Sequence, residues 1–83
     1  MANSAPQANV SQTVLKAIDV LECIASATDP LTAPDVAQQC GLSRPTAYRL
    51  LTTLQSRGYI ANEQSGLYHL GMSVLSLSKN LLD

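Results

Sequence analysis

Arg44, Arg49 and Arg57 are the only arginines of the chain, and no acidic residue stands between Asp35 and Glu63 to neutralise them. A guanidinium is a planar fork that fits phosphate oxygens, or the O6 and N7 acceptors of guanine. Around these arginines stand Ser43, Pro45, Thr46, Tyr48, Thr52 and Thr53, with hydroxyls and methyls suited to phosphate oxygens and base edges. Arg49 is the candidate for a bidentate contact to guanine, with a phosphate contact alone as the alternative, and the methyl of Thr46 for a thymine methyl. Arg44 suits phosphate, because a cation at a helix start opposes the helix dipole. Catalysis has no comparable footing. There is one histidine, His69, no glycine-rich phosphate loop and no pair of carboxylates in a plausible cleft. No enzyme activity and no cofactor are expected.

Those side chains need a rigid support, and residues 31–60 supply one. Thr32 can cap a helix, Pro34 fits its first turn, and Asp35 places negative charge at its positive end. Gly41 fits the left-handed position that ends such a helix, and Ser43 starts another. Ala47, Leu50, Leu51 and Leu54 then recur at helical spacing until Arg57-Gly58. Two helices joined by a short glycine-containing turn form a helix-turn-helix, whose second helix, here about 44–57, is shaped for the DNA major groove. A core face on Ala47, Leu50, Leu51 and Leu54 leaves Pro45, Arg49, Thr52 and Ser56 outside, flanked by Thr46, Tyr48 and Thr53. Thr32 and Ser43 are caps first, with a hydroxyl or neighbouring N–H also able to meet phosphate.

The flanks complete the fold. Ser11 can cap a helix to about Ala27, with Val14, Ala17, Ile18, Leu21, Ile24 and Ala25 as its apolar stripe, and Thr28-Asp29-Pro30 ends it. Tyr59–Asn62 and Leu67–Leu70 are strand candidates joined by Glu63-Gln64-Ser65-Gly66, and helical spacing returns from Met72 to Leu82. The fold class is therefore mainly α with a small β-hairpin wing, a winged helix-turn-helix. Residues 1–10 are expected to form a disordered arm, 11–71 the winged domain and 72–83 a further helix. Val74, Leu77 and Leu81 stripe that last helix. They either cover the first helix of the same chain or pair two chains.

The formal net charge of −1, from five basic and six acidic residues, is thin for a binder of double-stranded DNA. It favours two chains on two half-sites of a palindrome over one chain alone. Low basic charge would equally suit a winged-helix protein-docking or dimerisation module. The acid-free Arg, Thr and Tyr face of the second helix favours DNA. A metal-sensing winged repressor is disfavoured, because Cys23 and Cys40 are not closely spaced and no histidine cluster accompanies them. Two buried free thiols in a reducing cytoplasm are expected. No apolar run approaches the roughly 18 residues of a membrane span.

The stretch GLSRPTAYRLLTTLQSRGYI, followed by a short wing, Tyr68-His69-Leu70-Gly71 and an amphipathic helix, resembles the amino-terminal DNA-binding domain of the isocitrate-lyase-regulator (IclR) family of bacterial transcription regulators. The resemblance covers about residues 11–83. The resemblance implies a phosphate contact from Lys16, a weaker one than in that family, because Lys16-Ala17 stands where the family usually has an arginine before the alanine. It implies pairing through the first and last helices. It also implies that 72–83 is a linker helix leading to an effector-binding domain of GAF-like fold, absent here. The chain then corresponds to the DNA-reading half of a regulator, with a small-molecule effector acting only through that second domain.

Overall fold

The computed structural model describes residues 9–82. The expected arm at 1–10 therefore lies outside the described residues, except for its last two, and so does Asp83.

Local signals set the helix ends. Ser11 accepts a hydrogen bond from Val14 N–H and starts α1 (Gln12–Ser26), one residue shorter than expected, with Ala27 as an extended cap. Thr32 and Asp35 exchange hydrogen bonds, side chain to backbone in both directions, and this capping box opens α2 (Ala33–Cys40). Gly41, at φ 66°, closes α2 in the left-handed region, where its own N–H and that of Leu42 reach back to the last turn. Ser43 then caps α3 (Arg44–Ser56), with Pro45 in its first turn. A final helix, α4 (Ser73–Leu82), closes the described chain.

The sheet is larger than the expected hairpin. Strands β2 (Ile60–Asn62) and β3 (Leu67–Leu70) pair antiparallel with Ile60 opposite Leu70 and Asn62 opposite Tyr68. On the other edge of β3 lies β1 (Leu31–Thr32), which pairs Leu31 with Tyr68, so the order is β1-β3-β2. Two residues cannot display a period-2 pattern. Only the long-range pairing reveals this strand, and its last residue also caps α2.

Val20, Ile24, Val36, Leu50, Leu51, Ile60 and Tyr68 form one buried cluster, drawn from α1, α2, α3, β2 and β3. The core stripe of α1 is rotated from expectation. Ala17, Val20, Leu21 and Ile24 face inward at spacings of 3 and 4, whereas Val14, Ile18 and Ala25 are exposed. The helix is apolar on two sides, and spacing alone did not say which side the core takes. Burial of these seven side chains, at about 1.5–3 kcal/mol each before entropy is subtracted, clamps α3 against α1 and α2.

Candidate nucleic-acid interface

The inward seating of Ala47, Leu50 and Leu51 leaves the opposite side of α3 in solvent. There Pro45, Tyr48, Arg49, Thr52 and Thr53 line a single shallow open groove. Five of the expected contact residues thus stand together. Tyr48 is 60% exposed, a large flat ring with most of its surface open to solvent. Arg44 is exposed at the first position of the helix. Ser56, placed outside by periodicity, is exposed but directs its hydroxyl to the Thr53 carbonyl at 2.6 Å and does not line the groove. Among the described residues the one ion pair is Glu63–His69, so the arginines meet no carboxylate and their charge is available to a partner.

Hydroxyls at the helix starts are already committed. Ser43 Oγ accepts from Thr46 N–H at 3.3 Å and donates to Thr46 Oγ1 at 2.9 Å, and Thr46 is half-buried. Thr32, half-buried within β1, accepts from Asp35 N–H at 3.2 Å. These two residues act first as caps. Thr53 Oγ1 donates to the Arg49 carbonyl at 2.7 Å, one turn back along the same face. That back-bond fixes the Thr53 rotamer beside Arg49 and favours a slight bend of the helix.

Elsewhere the picture is mixed. Lys16 is exposed on α1 and is not among the residues lining the groove. His69 Nε2 lies 3.4 Å from Glu63 Oε2, and its Nδ1 lies 3.0 Å from the Leu70 carbonyl oxygen, so the wing histidine is engaged within the wing. The wing loop carries no basic residue and one acid. Tyr68 is buried, with burial first and then the nearby Tyr48 raising its hydroxyl above the ordinary phenol value. On α4, Val74 is half-buried while Leu77 and Leu81 are 62% and 86% exposed, so this stripe does not cover the first helix of its own chain.

The two cysteines depart from expectation. Both are free, but each is only half-buried. They also lie beside one another across the α1–α2 contact, although far apart in sequence. Cys23 Sγ donates to Gln39 Oε1 at 3.3 Å, and the Cys40 thiol is pushed up to about 11 by burial, by Cys23 and by Asp19. A raised pKa keeps Cys40 protonated and a poor nucleophile near neutral pH. No group of three or more metal-ligating side chains occurs among the described residues. No helix there is long and apolar enough to cross a membrane.

Sequence reasoning missed Ser73, whose Oγ donates to the Arg57 carbonyl at 2.7 Å and ties the start of α4 to the end of α3. Helical periodicity carries no signal of a bond across sixteen positions. The glycines on either side, Gly58 and Gly71, were the available hint of close backbone approach.

Comparison with known proteins places this geometry in a family. The IclR helix-turn-helix domain matches residues 13–64. The HTH-type transcriptional regulator XynR of Escherichia coli K12 is 36% identical over 67 residues, which span 80% of this chain and 27% of that protein. The glycerol operon regulatory protein of Streptomyces griseus is 34% identical over 73 residues, 87% of this chain and 29% of that one. An IclR family transcriptional regulator from Brucella abortus superposes with a TM-score of 0.83 at 30% identity, covering 92% of this chain and 30% of the other. The chain therefore spans less than a third of each of these relatives.

Proposed function

This chain belongs to the IclR helix-turn-helix family, a DNA-binding domain of transcriptional regulators, and from that premise we propose that α3 reads the major groove of a palindromic operator. The single observation that carries the reading is the outer face of α3. It is exposed, holds Arg49 and Tyr48 between small hydroxylated side chains, and is free of acids. In this reading Arg49 forks onto a guanine, while Pro45, Thr46, Tyr48 and Thr52 meet neighbouring base edges or sugars. Thr53 supports Arg49 from the next turn. Arg44 and Lys16 bind phosphate, and the capped N-termini of α2 and α3, at Thr32 and Ser43, present backbone N–H groups to it.

Two chains occupy the two half-sites, paired through Val74, Leu77 and Leu81. The exposure of Leu77 and Leu81 in the single chain supports this arrangement. In this reading α4 leads, in longer proteins of the family, towards a second domain through which a small molecule would act on DNA binding.

The test is Arg49→Ala on a sequence selected from a random DNA pool. The loss expected is about 1–3 kcal/mol on the selected site, with preference relaxed at one position of each half-site. An equal loss on random DNA would reduce Arg49 to a phosphate ligand and remove the base-reading role.

A further inference from the structure

No residue of α4 is buried, and Leu75, Leu77, Leu81 and Leu82 are exposed, so packing along its length does not set its direction. What holds it is its first residue. The end of α3 is a Schellman turn, in which Tyr59 N–H donates to the Leu54 carbonyl at 3.0 Å and Gly58 N–H, at φ 81°, to that of Gln55 at 3.0 Å. This closure leaves the Arg57 and Gly58 carbonyls without partners in their own helix. Ser73 takes both. Its Oγ donates to Arg57 at 2.7 Å and its N–H to Gly58 at 3.0 Å. Gly71 N–H adds a bond to the Tyr59 carbonyl at 2.9 Å. A Cβ at Gly71 would overlap the Gly58 carbonyl oxygen, and one at Gly58 would press on Ser73 Oγ, so the two segments lie against each other without slack.

We propose that Ser73 is a positioning residue for DNA reading: by bonding both carbonyls at the end of α3 it fixes the direction of α4 against the recognition helix, and so sets the half-site spacing that a pair of chains accepts. The spacing clause rests on the pairing through α4 proposed above. If α4 holds the partner, any freedom between α4 and α3 becomes freedom between the two recognition helices. Ser73 touches no DNA in this account and acts through the angle between α4 and α3.

The experiment compares the 83-residue wild-type chain, Ser73→Ala and Ser73→Thr on duplexes selected with the wild type, with base pairs added or removed between the half-sites. Wild type should lose on the order of a hundredfold or more in affinity off the selected spacing, as the second chain's contribution is lost. Ser73→Ala should flatten that dependence without weakening binding to a single half-site, and Ser73→Thr, which keeps the hydroxyl, should restore it. A Ser73→Ala protein with the full wild-type dependence overturns the proposal. If the wild type itself ignores spacing, the pairing is at fault, and non-natural nitroxide side chains at positions 55 and 79 decide the role of Ser73. A distance distribution broader in Ser73→Ala than in wild type and Ser73→Thr upholds the positioning role, and an unchanged one overturns it.

Discussion

Ser43 performs two tasks with one oxygen, capping the recognition helix through Thr46 N–H and holding the Thr46 hydroxyl. Ser43→Ala removes both bonds and should cost roughly 1 kcal/mol of folding stability. DNA binding should fall with it, because a first turn without its cap holds its remaining free N–H groups less firmly towards phosphate. An unchanged melting temperature would refute the capping role. Cys40 makes a prediction of a different kind. Its thiol titrates at about 11 in the fold against an ordinary value of 9.0, so the folded state favours the neutral form. That contribution is complete below about pH 9 and is lost as pH rises towards 11, because the unfolded chain releases its proton first. Stability measured against pH should therefore decline through this window. Cys40→Ala should flatten the decline, leaving the part that comes from the raised Tyr68 hydroxyl. An identical alkaline decline in both proteins would exclude Cys40 as its source.

At the scale of elements, the wing is the part whose charge runs against DNA binding. Glu63 is 52% exposed and balanced only by His69, which is charged only when protonated. If the wing lies near the phosphates, Glu63→Gln should tighten binding roughly twofold at low salt, with the gain fading as salt screens it. No gain at low salt would place the wing away from the backbone. Much of this architecture was legible because helix starts and stops are local chemistry. Thr32 with Asp35, Gly41, and Ser43 with Pro45 each mark a boundary within a few residues, and the structure puts the ends of α2 and α3 there. The exposed side of α3 followed from the same periodicity. What was not legible depends on distant partners. Strand β1 exists only because β3 runs beside it, and the side of α1 that enters the core is chosen by α2 and α3. Cys23 meets Cys40, and Ser73 meets Arg57, only after the chain has folded.

For the whole molecule, affinity is the limiting quantity. Three arginines and two lysines let one chain neutralise few phosphates, so a lone chain should bind near the non-specific range of about 10⁻⁴–10⁻⁶ M. Two chains on one palindrome raise each other's local concentration and gain orders of magnitude without a new contact. Sedimentation should accordingly show a concentration-dependent dimer, with recognition helices about one DNA turn, or a multiple of it, apart. A monomer at all concentrations that binds a single half-site as tightly as the palindrome would exclude pairing. The near absence of ion pairs has a consequence for measuring all of this. Among the described residues only Glu63–His69 is such a pair, so added salt has little within the fold to weaken. The slope of binding against the logarithm of salt concentration then reports the counterions that leave the duplex, at about 0.9 per phosphate neutralised. A salt titration of this chain counts its grip on the backbone, phosphate by phosphate.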